Sequence, residues 1–204
     1  MKKIMVLGHS HVFWLEQFIK QENLQTNFNV ETVTVNFYGV GGMKIGHNEP
    51  EKNLLSDITL DAIRTNNPET ICLMIGDNDV NLRTNANELG LRIIAAASTI
   101  MKKTSVKSVV IFQLLPRYLK DDRQNKNYDV TANAVNNFLL REAKQREDIS
   151  FYYHDFARFR CENETRYGTA RRLFCDVHLT PEGNWKLYKS TRAVMIKQGK
   201  EGRF

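Results

Sequence analysis

Four short segments of the chain carry the side chains that acyl transfer requires. They are Gly8-His9-Ser10-His11, Gly39-Val40-Gly41-Gly42, Gly76-Asp77-Asn78-Asp79, and Cys175-Asp176-Val177-His178-Leu179-Thr180. Gathered on one rim, they would supply a serine hydroxyl, a glycine amide, an asparagine amide, a carboxylate and an imidazole. A serine hydroxyl is a weak nucleophile until a base takes its proton. An imidazole can do this near neutral pH, and a carboxylate can fix its tautomer and stabilise its charged form. N–H donors aimed at the tetrahedral oxyanion contribute on the order of 3 kcal/mol each. If Ser10 opens a helix, its own backbone N–H and the positive end of the helix dipole lie beside that oxyanion.

The elements needed to bring these segments together can be read from periodicity. Short apolar runs at Lys3–Leu7, Thr70–Ile75, Ser108–Phe112 and Ile149–Tyr153 predict buried strands, and Val30–Phe37 predicts a β-branched strand with alternating faces. Helical spacing is expected over Val12–Gln21, weakly over Leu60–Arg64, and over Glu88–Met101 with Leu91, Ile94, Ala95 and Ser98 on one face. A further helix is expected over Thr131–Arg146, with Val135, Phe138 and Leu139 as its apolar stripe, and Pro181 opens a last helix. Asp155–Cys175 reads as irregular and charged. Alternating strands and helices imply an α/β fold, a three-layer α/β/α sandwich around a five-stranded parallel sheet. Ligands of such sheets bind at the carboxyl ends of the strands, where three of the four segments fall.

On these blocks the chain resembles the SGNH, or GDSL-like, hydrolases, in block order and over nearly its whole length. Gly8-His9-Ser10 is similar to the nucleophile block, which implies Ser10 as nucleophile. The resemblance makes Gly42 the block glycine whose N–H serves the oxyanion hole, together with the Ser10 amide. Gly76-Asp77-Asn78-Asp79 fits the G-x-N-D block and implies Asn78 as the side-chain donor, and His178 corresponds to the general base. Tyr38-Gly39-Val40-Gly41-Gly42, Leu114-Leu115-Pro116-Arg117 and His178-Leu179-Thr180 resemble the catalytic subunits of intracellular platelet-activating-factor acetylhydrolase. Similar domains also occur in retrotransposon proteins. The implied function is a serine esterase acting on short acyl, acetyl-type esters through Ser10, His178 and Asp176, with no cofactor and no metal.

Two positions depart from the family pattern. His9 stands where an aspartate is usual, and a tolerated substitution, a second catalytic imidazole or a metal ligand would account for it. The carboxylate usually sits three residues before the histidine, whereas here Cys175 occupies that place and Asp176 lies two before. In an extended segment residues i and i+2 face the same side, so Asp176 could still reach the ring. Otherwise the site is a Ser-His dyad, or Asp155 substitutes. Plainer roles stand beside these: Ser10 as a helix cap, Asn78 and Asp79 as turn residues with Asp79 holding its loop, and His11, His47 and His154 as packing or surface groups. Trp14 and Trp185 read as core. Cys175 lacks the ordered partners of a nucleophile.

Of the 204 residues, 42% are hydrophobic and 25% charged, which excludes a disordered, collagen-like or disulfide-scaffold chain. No apolar run reaches the roughly 18–20 residues of a transmembrane helix, and the apolar run Ile4–Leu7 is too short for a signal peptide. The four dispersed prolines and the absence of a linker or repeat predict one domain over 1–204, with 197–204 a frayed tail. Three cysteines without metal-ligand spacing fit a reducing cytosol, hence a cytoplasmic location. The net charge of +6 and the cluster Arg158, Arg160, Arg166, Arg171 and Arg172 raise a rival reading. In it, an idle SGNH-type domain binds an anionic partner such as nucleic acid. A homodimer is compatible with the sequence.

Overall fold

The structure, a computed structural model, describes residues 1–118, 122–157 and 172–200. Four of the five clustered arginines and Cys161 therefore lie outside the described residues. β1 (Lys2–Gly8) leads into α1 (Ser10–Gln21), followed by β2 (Val33–Gly39), α2 (Asp57–Asn66) and β3 (Thr70–Met74). α3 (Ala86–Lys103), β4 (Ser108–Phe112), α4 (Asp122–Ala143) and β5 (Ile149–Tyr152) complete the main sheet. A short hairpin, β6 (Phe174–Cys175) and β7 (His178–Leu179), precedes α5 (Pro181–Lys200).

The five strands are parallel in the order β2-β1-β3-β4-β5. The chain winds one way from β1 to β2 and the other way from β3 onward, so the strand order reverses between β1 and β3. That reversal leaves a crevice at the carboxyl ends of these two strands. Gly8, the last residue of β1, faces the backbone of β3 so closely that a Cβ there would lie 2.0 Å from the Met74 carbonyl oxygen. Glycine alone admits this approach, and it brings the nucleophile segment against the loop after β3.

β3 and β4 are buried along their whole length, as strands covered on both faces must be. One apolar layer packs α2, α3 and α4 through Leu60, Ile63, Ile93, Ala97, Val135 and Leu139. The other packs α1 and α5 through Val12, Leu15, Ile19, Leu187 and Val194. The apolar residues at helical spacing in α1, Val12, Leu15, Phe18 and Ile19, are buried, and so is the expected stripe of α4. That of α3 is met only in part: Ile94 is buried, but Leu91 is 55% exposed and Ala95 is exposed, and the inward face is Leu89, Ile93, Ile94, Ala96, Ala97 and Ile100. Gly90 lies on this face, and its missing side chain lets the Phe138 ring of α4 seat against the helix, 2.3 Å from where a Cβ would stand.

Candidate active site

Ser10 is the first residue of α1, and His9 caps it, its Nδ1 accepting the His11 N–H at 3.5 Å. The first N–H groups of a helix have no partner within it, so the Ser10 amide sits at an electropositive end. Ser10 Oγ lies 3.1 Å from His178 Nε2 across 168 residues of sequence. If Nε2 accepts the hydroxyl proton, Nδ1 carries the ring's own hydrogen, the tautomer of a general base. Burial lowers the His178 pKa, His9 and Arg117 lower it further, and Asp176 opposes them weakly. The ring is therefore neutral and able to accept a proton at pH 7. The acid limb of any His178-dependent rate is expected below the ordinary histidine value of about 6.5. Asp176→Asn should move that limb lower still, which a kcat/KM profile against pH would read.

Asp176 does not follow the alternation of an extended strand. It sits at the corner of the β6–β7 hairpin with φ +55°, in left-handed backbone, and its side chain is exposed. Its main-chain carbonyl accepts the Tyr118 N–H at 2.8 Å. Among the described residues no hydrogen bond joins its carboxylate to His178. The ring instead lies edge-on to Trp14 and His11, each with its centroid 6.1 Å away. Trp14, expected in the core, is 44% exposed beside the site.

Gly42 lies in the loop after β2 with φ +76°, a conformation that favours glycine. Asn78 lies in the single 3₁₀ turn Asp77–Asp79 after β3. Its Nδ2 donates to the Met43 carbonyl at 3.1 Å, so the two loops that carry the expected oxyanion donors are bonded together. Asp79 reinforces this link by accepting the Ile45 N–H at 3.3 Å, with Arg92 3.5 Å from its other oxygen. Asp79 thus holds the loop, as expected. The loop after β2 is also tied to β1, because Val40 N–H donates to the Gly8 carbonyl at 2.9 Å.

Beneath these groups lies a buried network that the sequence did not reveal. His9 Nε2 lies 2.8 Å from Asp77 Oδ2, and both side chains are almost fully buried. Because His9 Nδ1 accepts, Nε2 is the donor. Asp77 Oδ1 also accepts the Leu115 N–H at 3.0 Å, and the Tyr128 hydroxyl lies 3.0 Å from that oxygen and from the Leu115 carbonyl. Burial alone would raise the Asp77 pKa. The His9 ring beside Asp77 and the hydrogen bond from that ring, with His11 and Arg117, outweigh this and keep the carboxylate ionised. His9, where the family usually has a carboxylate, thus borrows one from Asp77 in the turn after the neighbouring strand. Asp77→Asn puts an amide N–H against one of these donors and should cost about 1–3 kcal/mol of stability. Urea denaturation of the two proteins would measure it.

His11 and His154, expected as packing or surface groups, are both buried, and His47 is partly exposed. Cys72 is buried, its thiol pushed up to about 12 by desolvation, and Cys175 is exposed. Trp185 is 37% exposed and stacks on Tyr188 at 5.6 Å. The described residues contain no helix long and apolar enough to cross a membrane.

No protein-family model matches the sequence, and no curated protein matches it. Solved structures do match. A GDSL-like lipase from Bacteroides thetaiotaomicron aligns with 96% of this chain and 88% of its own at 16% identity and TM-score 0.64. A carbohydrate esterase family 3 structure from Talaromyces cellulolyticus covers 98% of this chain and 99% of its own, at 17% identity and TM-score 0.62. A carbohydrate acetylesterase from Sinorhizobium meliloti covers 97% and 98%, at 13% identity and TM-score 0.64. The α/β architecture is thus the fold of the GDSL, or SGNH-like, hydrolases, the class expected from the sequence blocks. At these identities the likeness establishes the fold, and the chemistry rests on the site.

Proposed function

We propose that the protein is a serine esterase that hydrolyses carboxylic esters of short acyl groups, acetyl first among them. The observation that carries this reading is the 3.1 Å approach of Ser10 Oγ to a neutral His178 Nε2 at the mouth of the β1–β3 crevice. Ser10 Oγ attacks the ester carbonyl carbon while Nε2 takes the hydroxyl proton. The carbonyl π pair moves to oxygen, and the Ser10 and Gly42 amides and Asn78 Nδ2 receive the oxyanion. Collapse expels the alkoxide, which takes the proton back from Nε2 and leaves as alcohol. Water then attacks the acyl-serine by the same route, its proton passing through His178 to Ser10, and the carboxylic acid departs. Asp176 contributes through its charge rather than by a hydrogen bond.

The acetyl preference draws support from the acetylhydrolase-like blocks and from the carbohydrate acetylesterase among the similar folds. A second reading, an idle domain used for binding, draws on the exposed carboxylate of Asp176. One experiment separates the two: hydrolysis of p-nitrophenyl acetate and butyrate by the protein and by Ser10→Ala. Loss of turnover in the variant supports the esterase. Equal, background-level rates in both would overturn it and favour the binding domain.

A further inference from the structure

Arg117 is not used by the mechanism above, yet it touches one of its donors. Arg117 Nη2 donates to Asn78 Oδ1 at 2.9 Å, while Asn78 Nδ2 donates one proton to the Met43 carbonyl at 3.1 Å. A primary carboxamide has one acceptor oxygen and two N–H donors. These two bonds fix both the plane and the sense of the amide. The second Nδ2 proton remains as the donor uncommitted among the described residues. A flip of the amide would turn Nδ2 toward the guanidinium and Oδ1 toward the Met43 carbonyl, setting donor against donor and acceptor against acceptor.

The guanidinium is itself held. Its Cζ lies 4.6 Å from the centre of the Tyr128 ring, a cation–π placement, and Tyr128 is anchored by Asp77 and Leu115. One connected structure therefore runs from His9 through Asp77, Tyr128 and Arg117 to Asn78.

We propose that Arg117 is a positioning residue of this site: it locks the Asn78 carboxamide so that one Nδ2 proton faces the oxyanion. The role rests on the esterase reading, but the locking of the amide can be observed without turnover. A charged donor on Oδ1 also polarises the amide and strengthens the N–H that it leaves free. The same positive charge acts on His178. That ring is faced by His9, His11 and Ser10 from the start of α1, by Arg117 from the loop after β4, and by Asp176 from its own hairpin. Removing the guanidinium charge takes away one of the influences that lower the His178 pKa.

The test compares the wild type with Arg117→Met, Arg117→Lys, Asn78→Ala and the double variant Arg117→Met/Asn78→Ala on p-nitrophenyl acetate, over a pH series. NMR of the Asn78 side-chain amide and of the His178 ring accompanies the kinetics. Asn78→Ala should lower kcat about 10²–10³-fold as an oxyanion donor is lost. Arg117→Met should lower kcat roughly 10- to 100-fold with KM changed less than about threefold, and the double variant should be no worse than Asn78→Ala. The acid limb and the His178 titration should move to higher pH in Arg117→Met and stay in place in Arg117→Lys. Lysine keeps the charge but lacks the planar fork, so its kcat should still fall.

Multiplicative losses in the double variant would overturn the proposal, and so would an unchanged Asn78 amide resonance in Arg117→Met. If Arg117→Met does not fold, Arg117→Lys carries the decision: an unchanged kcat and amide resonance there would overturn it. If wild type and Ser10→Ala hydrolyse the ester equally, the esterase reading fails. The amide resonance in the Arg117 variants then decides the positioning claim alone.

Discussion

Ser10→Ala and His178→Ala should each lower kcat/KM for p-nitrophenyl acetate by about 10⁴ or more, whereas Asp176→Asn should cost less than about tenfold. The first two remove the atoms that exchange the proton. In sites of this kind the nucleophile and base act as a unit, and losing either costs nearly as much as losing both. The double variant Ser10→Ala/His178→Ala is therefore expected to be no slower than either single one. The third expectation separates a dyad from a triad. A carboxylate buried on the imidazole Nδ1–H sets the tautomer, and its loss there costs roughly 10⁴ in kcat. Asp176 occupies a different position. Its side chain is exposed, its backbone is left-handed at φ +55°, and its carbonyl is engaged by Tyr118. A screened carboxylate acts on His178 only as a distant charge, which fits its minor, opposing influence on the ring. A 10³-fold loss in Asp176→Asn would mean that the carboxylate closes onto Nδ1 in the working enzyme.

What sequence reading could reach and what it could not follow one physical division. Features fixed by local chemistry were legible. Runs such as Thr70–Met74 and Ser108–Phe112 can only be strands buried on both faces, and the residues that follow them can only be loops. Features fixed by packing between distant elements were not. Gly90 lies on the inward face of α3 and seats the Phe138 ring, a close approach between two helices that reading each helix by itself does not reveal. α4 begins at Asp122, nine residues before the expected Thr131. Its first turns are polar, and Tyr128 holds them through bonds to Asp77 and Leu115.

The candidate site divides in the same way. Ser10, Gly42, Asn78 and His178 stand in short blocks whose spacing is local. The His9–Asp77 pair spans 68 residues and exists because β1 and β3 are neighbours. One signal for it was available: a histidine where a carboxylate is usual, with an aspartate directly after the glycine that ends the adjacent strand segment. The hairpin corner at Asp176 gave no such signal, since a two-residue spacing reads equally well as extended chain.

The protein should also lose stability steeply between pH 7 and pH 5, by about 4 kcal/mol from two histidines, before any catalytic group is considered. His11 and His154 are fully buried, and burial pushes both pKa values down to about 3. His11 Nδ1 and His154 Nε2 have no hydrogen-bond partner among the described residues. His154 Nδ1 lies 2.8 Å from Ser190 Oγ, and its ring is packed among Phe112, Tyr152 and Phe156. A second proton on His154 would place a charge with no acceptor among aromatic rings, and one on His11 would place a buried charge beside the His9 and His178 rings. In the unfolded chain both titrate near 6.5. As pH falls below that value the unfolded state binds protons that the folded state refuses, so stability is lost down to about pH 3 and is fully present above 6.5. At pH 5 the difference is about 2 kcal/mol per ring. Asp77, whose folded pKa lies below its ordinary value, loses its contribution only at still lower pH and does not offset this. The measurement is the urea midpoint at pH 7, 6 and 5 with a constant slope. His154→Leu should flatten about half of the dependence, because it removes one of the two refused protons. The same series separates two effects that both appear as acid inactivation. Protonation of His178 lowers kcat/KM reversibly in a folded protein, whereas protonation of the unfolded chain at His11 and His154 lowers the folded fraction. A urea midpoint that stays constant from pH 7 to pH 5 would mean that these rings find acceptors for their protons, and that acid acts on the site alone.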